Sequence, residues 1–91
     1  MNVIEVIQQI TSLFQYKADE KGLALRVNIP KDFPKHIMGD PNRLHQILVN
    51  LVGNALKFTD QGSVEINASH GDNHYKIEVK DTGQGLSLIH I

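Results

Sequence analysis

Several common features are missing from this sequence. It contains no cysteine and no tryptophan, which excludes a disulfide framework and a cysteine-based zinc site and favours a reducing compartment. No apolar run approaches the roughly 20 residues of a membrane span, and residues 1–10 lack the basic start and cleavage site of a signal peptide. Nine basic and ten acidic residues are interspersed, so no basic field is available for nucleic acid. We therefore expect a cytoplasmic domain that contacts neither membrane nor nucleic acid.

What is present is the composition of one small globular domain. The chain has 91 residues, of which 41% are hydrophobic and 21% are charged, values that are ordinary for a folded protein. A chain of this length buries a smaller fraction of its surface than an average domain does, so its stability should be modest.

The first third of the chain predicts a helix followed by a strand. Apolar residues recur at spacings of three and four over residues 3–18, which is the period of a helix with one buried face, and Gly22 is placed to end it. Apolar and polar residues then alternate over residues 23–29, which indicates a half-buried strand closed by Pro30. A proline-containing loop is expected to run to about Met38.

A second helix is predicted from Pro41 to about Phe58. The Asp40 side chain can accept hydrogen bonds from free amides of the first turn, and proline suits the first helical position. A projection at about 100° per residue predicts that one apolar arc faces the core. Its members are Leu44, Ile47, Leu51, Ala55 and Phe58, with Leu48 at its edge.

A β-hairpin is predicted after the turn residues 60–62. Residues 64–68 and 75–79 alternate between apolar and polar, and residues 71–73 join them. The order helix, strand, helix, strand, strand predicts an α+β fold, a two-layer α/β sandwich with helices packed on one face of a sheet.

A polar stripe runs along the second helix. Asn50, Asn54 and Lys57 share one direction at spacings of four and three, with Gly53 beside them. The ordinary explanation is the solvated side of an amphipathic helix. However, Asn and Gly in a helix interior each cost about 0.5–1 kcal/mol relative to Ala, which favours another role. An Asn oxygen can bind a magnesium ion, and Lys57 could neutralise phosphate charge.

An acidic residue followed by glycines ends the second hairpin strand, in the sequence DTGQG at residues 81–85. A carboxylate at a strand end can accept a hydrogen bond from the exocyclic amine of adenine. Glycines let the backbone approach a planar base. Asp and Gly are also common in any loop after a strand, so this pentapeptide alone leaves both interpretations open.

These motifs together carry a family resemblance. Residues 39–66, GDPNRLHQILVNLVGNALKFTDQGSVEI, are similar to the N-box region of histidine kinase ATPase domains, and residues 81–85 resemble their G1 box. Residues 17–27, KADEKGLALRV, resemble the passage from first helix to strand in hybrid sensor kinases. The resemblance implies the ATP-binding domain of a bacterial two-component sensor histidine kinase, with helices on one face of a mixed sheet.

The resemblance also implies roles for the stripe. Asn54 would coordinate the Mg²⁺ ion that bridges the ATP phosphates, and Lys57 would approach those phosphates. Asn50 would contact the nucleotide from the catalytic position where ATP-hydrolysing relatives keep a glutamate as general base. An amide cannot take a proton from water at neutral pH, which suits a kinase that must preserve ATP.

At the other motif, the resemblance implies that Asp81 binds the adenine amine and that Gly83 and Gly85 shape the floor of the pocket. The parent protein would transfer the γ-phosphoryl group of ATP to a histidine on a separate dimerisation domain. A response regulator or receiver domain would act downstream. The domain would be the cytoplasmic portion of a membrane-anchored sensor.

The carboxyl end departs from the family pattern. Related domains continue with an ATP lid and a second glycine-rich box, whereas this sequence ends in LSLIHI. We therefore expect residues 1–87 to form a partial ATP-binding domain and residues 88–91 to be a truncated or non-native tail. We expect the chain to be inactive alone and, because its sheet would have an open edge, to form homodimers. None of its five histidines lies in a phosphoacceptor context.

Two other functions fit the same fold. A gyrase-type or Hsp90-type ATPase is one, and Asn50 in place of a glutamate argues against it. A non-catalytic interaction or dimerisation module is the other, and such a module would have little reason to keep both Asn54 and Asp81.

Overall fold

The computed structural model describes residues 1–72 and 74–82, together with the backbone of residues 85–90. Within these residues two helices and four strands follow one another along the chain. In order they are α1 (Val3–Glu20), β1 (Ala24–Asn28), α2 (Pro41–Phe58), β2 (Ser63–Gly71), β3 (His74–Asp81) and β4 (Gly85–His90). Neither helix in this part of the chain is long and apolar enough to cross a membrane.

The four strands form one mixed sheet in the order β1-β2-β3-β4. Strand β1 pairs in parallel with β2, because α2 carries the chain back to the same end of the sheet before β2 begins. Strands β2 and β3 form the predicted antiparallel hairpin, and β4 continues the sheet antiparallel to β3. Strand β4 was not predicted, since its residues were divided between a glycine motif and a tail.

Both helices cover one face of this sheet. Helix α1 packs on α2 and on β1, and α2 packs on β2 and β3. Every second residue of the hairpin is therefore buried beneath the helices, namely Val64, Ile66, Ala68, Ile77 and Val79. The predicted two-layer α+β sandwich is confirmed.

The opposite face of the sheet carries a row of polar side chains across three strands. The Asn28 side-chain amide donates to Asn67 Oδ1 at 2.7 Å, and the Asn67 amide donates to Glu78 Oε1 at 3.3 Å. Arg26 and Glu65 lie 3.8 Å apart in the neighbouring row. These cross-strand contacts stabilise the parallel pairing of β1 with β2 in the observed register.

Helix α2 begins where the sequence predicts. Asp40 accepts hydrogen bonds from the backbone N–H groups of Asn42 at 2.9 Å and Arg43 at 3.3 Å, and Pro41 occupies the first turn. These bonds satisfy two amides that have no partner within the helix, a contribution of about 1 kcal/mol. The predicted bounds of α2 are confirmed.

The buried face of α2 differs from the predicted arc. The buried residues are Leu44, Leu48, Val52, Ala55 and Leu56, whereas Phe58 is 51% exposed. The true core face is rotated by roughly 70° along the helix projection from the predicted one. The reason is that α2 is apolar over most of its circumference, so packing against α1 and the sheet, rather than periodicity, decides which side is buried.

The loop between β1 and α2 is anchored by two buried apolar side chains, Phe33 and Ile37. The Phe33 ring meets His70 and Tyr75 edge-on, with centroids 5.7 Å and 6.2 Å away. Ile37 and Met1 are joined by two hydrogen bonds. The amino-terminal ammonium group of Met1 donates to the Ile37 carbonyl oxygen, and the Ile37 amide donates to the Met1 carbonyl oxygen. The loop therefore closes one end of the core before it leads into α2.

The residue after α2, Thr59, is fully buried, and its hydroxyl has no hydrogen-bond partner among the described residues. Thr59→Val keeps the shape of the side chain and removes this hydroxyl, so we expect the free energy of unfolding to rise by about 1 kcal/mol. Urea denaturation followed by circular dichroism measures the change.

Thr11→Val is the matched control, because the Thr11 hydroxyl donates to the Ile7 carbonyl at 2.9 Å. We expect this variant to be unchanged or slightly less stable. A Thr59→Val chain less stable than the Thr11→Val chain would contradict the assignment of an unpartnered hydroxyl.

Candidate nucleotide site

The polar stripe lies on the side of α2 that faces away from the core. Asn50, Asn54 and Lys57 are exposed, as are Arg43 and Gln46 on the same side. Gly53 is separate from the stripe, since a Cβ atom there would lie 3.5 Å from the Phe14 ring of α1. This glycine lies at the contact between helices, and the three predicted site residues remain together on one side of α2.

The amide groups of the two asparagines in the stripe are available to a ligand. Within the described part of the chain, neither the Asn50 nor the Asn54 amide makes a hydrogen bond or ion pair. An exposed amide oxygen with no protein partner can bind a hard cation such as Mg²⁺, whose remaining ligands are waters and phosphate oxygens. The donor set on α2 therefore fits a magnesium ion that arrives with a nucleotide.

Lys57 lies in the last turn of α2, one turn after Asn54. Its ammonium group is 5.3 Å from the centroid of the Phe58 ring, within range of a cation–π contact. The exposed side chain of Phe58 therefore borders the positive charge rather than the core. A cation at this point can attract the phosphates of a nucleotide that occupies the stripe.

Asp81 ends β3 directly opposite Val64 in the antiparallel pair. Paired residues project to the same face of a sheet, and Val64 is fully buried, so the carboxylate of Asp81 points to the helix-covered face. Only residues 59–62 connect the end of α2 to the start of β2. Asp81 is therefore brought to the end of α2 that carries Lys57.

Thr82, which the sequence analysis did not single out, joins these parts. Its hydroxyl donates to the Gln61 carbonyl at 2.8 Å and accepts from the Ser63 amide at 3.3 Å, while its own amide donates to the Ser63 carbonyl at 3.2 Å. Gly62, with φ of 106°, approaches Thr82 too closely for a side chain. Thr82 thus ties the loop after α2 to the residue that follows Asp81.

Two depressions flank these residues. One, of about 870 Å³, runs along the amino-terminal half of α2 and is bordered by Arg43, Gln46 and Asn50. Another, of about 130 Å³, lies beside Asp81 and Thr82. The described residues do not join the two into one cavity. Gly83 lies outside the described residues, and the backbone of Gly85 begins β4 opposite Asp81.

The fold is that of histidine kinase catalytic domains. The crystal structure of full-length ShkA in complex with AMPPNP superposes with a TM-score of 0.84 at 36% identity, covering 91% of this chain and 18% of that one. Residues 39–91 match the family described as histidine kinase-, DNA gyrase B-, and HSP90-like ATPase, and the chain belongs to this family.

Curated relatives point to the histidine kinase side of this family. The signal transduction histidine-protein kinase BarA of Escherichia coli K12 is 38% identical over 85 residues, which are 88% of this chain. Probable histidine kinase 3 of rice (Oryza sativa subsp. japonica) is 49% identical over 59 residues, or 65% of this chain. The chain spans 9% and 6% of the lengths of these two proteins. The predicted histidine kinase ATP-binding domain is confirmed, and neither alternative function is favoured.

Proposed function

We propose that this domain binds Mg-ATP across the carboxyl end of α2 and the end of β3, and that its parent protein is a sensor kinase that phosphorylates a histidine. The observation that carries the proposal is the junction of these two elements. Lys57 lies in the last turn of α2, Asp81 ends the strand beside the start of β2, and Thr82 bonds to the loop between them.

On α2, the roles follow from the chemistry of the side chains. The free amide of Asn54 would coordinate Mg²⁺, and Lys57 would contact the phosphates. When bound, the magnesium ion would neutralise phosphate charge and orient the γ-phosphoryl group. Asn50 would contact the nucleotide or its hydration shell, and its amide cannot act as a general base. The site would therefore hold ATP without activating a water molecule against it.

At the end of β3, the carboxylate of Asp81 would accept a hydrogen bond from the exocyclic amine of adenine. Guanine carries a carbonyl at that position, so a carboxylate there would repel it. Gly83 and Gly85 would form the floor beneath the base, where the absence of a side chain allows close approach. This division assigns base recognition to β3 and phosphate recognition to α2.

The partners that we infer for the parent protein follow from histidine kinase chemistry. ATP would supply the phosphoryl group, a histidine on a separate dimerisation domain would receive it, and a response regulator or receiver domain would act next. We further infer a cytoplasmic position for this domain and a tendency of the chain to form homodimers through its sheet edge.

Calorimetric titration of Mg-ATP into the 91-residue chain tests the binding site. We expect Asp81→Asn to weaken binding about tenfold to a hundredfold, because a charged acceptor is replaced by a group that also presents donors to the adenine amine. Asp72→Asn, the same change in the turn at the far end of the hairpin, is the matched control and should bind as the wild-type chain does.

The affinities of the wild-type, Asp81→Asn and Asp72→Asn chains distinguish three outcomes. Loss of binding in Asp81→Asn alone would support the assignment of Asp81 to the adenine. Equal affinities in all three chains would refute that assignment. A wild-type chain that binds neither Mg-ATP nor adenosine would overturn the proposed function of the domain as a whole.

A further inference from the structure

The carboxyl end of α2 is capped by a lysine from a distant part of the chain. Lys21, in the turn between α1 and β1, donates from its ammonium group to the Leu56 carbonyl at 2.6 Å and to the Lys57 carbonyl at 3.3 Å. The Ala55 carbonyl accepts from the Thr59 amide at 3.1 Å. Three carbonyls at the end of the helix, which have no partner farther along it, are thereby satisfied.

The position of this ammonium group has an electrostatic effect as well. Helix ends of this kind carry about half a negative charge, and a cation there is favourable. Lys21 is half-buried, so the interaction is screened less than one at the open surface. Its aliphatic stem comes from the turn between α1 and β1, so these bonds tie the last turn of α2 to the carboxyl end of α1.

The same turn carries the phosphate-binding side chain of the proposed site. Lys21 bonds to the backbone of Lys57 itself, and Asn54 lies one turn before it. If the last turn of α2 unwound, the ammonium group of Lys57 would lose its fixed place relative to Asn54. Asp81, which is held by the β2–β3 pairing, would be unaffected.

We propose that Lys21 is a positioning residue for the nucleotide phosphates: it fixes the last turn of α2 so that Lys57 and Asn54 engage the phosphates together. The inference rests on the proposed function of the site. It predicts that loss of Lys21 impairs recognition of the phosphates and spares recognition of the base. A lysine with a purely structural role would affect both equally or neither.

The test compares the dissociation constants of Mg-ATP and adenosine, measured by amide chemical shifts in NMR titrations of the whole chain. We expect Lys21→Met to weaken Mg-ATP binding about threefold to tenfold and adenosine binding less than about twofold. Lys21→Arg, which can donate to both carbonyls, should restore the wild-type ratio. Lys17→Met removes the same charge from the exposed last turn of α1 and should leave the ratio unchanged.

A spectroscopic readout accompanies the affinities. In Lys21→Met, the amide resonances of Lys57 and Phe58 should shift, and their amide protons should exchange faster with solvent. The amide resonances of β3 should keep their positions. Lys21→Gln, whose amide can still donate to one carbonyl, is the second variant if Lys21→Met does not fold. Its ratio is expected between those of wild type and Lys21→Met.

An unchanged ratio in Lys21→Met or Lys21→Gln, with the wild-type chain binding both ligands, would overturn the inference and leave the proposed function standing. An equal loss of Mg-ATP and adenosine would also overturn it. A wild-type chain that binds neither ligand would overturn the proposed function and this inference with it.

Discussion

Asn54→Ala is expected to remove the magnesium-dependent part of ATP binding, a loss of about a hundredfold in affinity for Mg-ATP, because the side chain proposed to bind the metal is deleted outright. The Asn54 side chain is exposed and makes no hydrogen bond or ion pair with the residues that the structure describes. Alanine also has a higher helix propensity, so the same variant should be more stable by about 0.5 kcal/mol. Calorimetric titrations of ATP with Mg²⁺ and with a chelator measure the first effect, and urea denaturation measures the second.

If Asn54→Ala gains stability while it loses affinity for Mg-ATP, the weaker binding comes from the missing side chain and not from unfolding of the domain. Asn42→Ala is the matched control, since Asn42 is an exposed asparagine in the first turn of the same helix. It should retain the full effect of Mg²⁺. If Asn54→Ala kept that effect too, the metal would have to be bound elsewhere.

Ile66→Ala is expected to have the largest effect on folding. Ile66 is fully buried in β2, between Val27 on one neighbouring strand and Val79 on the other. Truncation of an isoleucine at such a position typically lowers the free energy of unfolding by about 2–5 kcal/mol. A domain of this size has a total on the order of 5–10 kcal/mol, so a large part of its stability would be lost.

Urea denaturation followed by circular dichroism checks this value. Ser69→Ala lies on the same strand at an exposed position and should change stability by less than about 0.5 kcal/mol. A similar small change in Ile66→Ala would mean that α2 does not pack over the centre of the sheet.

Elements with local signals could be predicted well from the sequence. Helix α2 begins where Asp40 and Pro41 predict, because this amino-terminal cap depends on neighbouring residues alone. Its buried face was predicted wrongly because burial depends on what the helix meets. Phe58, assigned to the core by periodicity, lies instead beside the ammonium group of Lys57.

The residues of the candidate site also differ in how far the sequence indicates them. Asn54, Lys57 and Asp81 could be selected from their residue types together with the family resemblance, and the short connection between α2 and β2 explains why they lie at one end of the fold. Lys21 could not be selected, because its partner Leu56 is 35 positions away along the chain. Hydrogen bonds between distant backbone and side-chain groups leave no periodic pattern in a sequence, so only the folded arrangement of the turn and the helix end reveals them.

The parallel pairing of β1 with β2 affects how the molecule acquires its fold. Closing a long loop costs more chain entropy than closing a short one, so contacts between distant segments form slowly. The β2–β3 hairpin is local, whereas β1 can join the sheet only after α2 has bridged the gap. On a ribosome, β1 therefore has no strand partner until β2 emerges, while the end of the hairpin that carries Asp81 can pair as soon as β3 is complete.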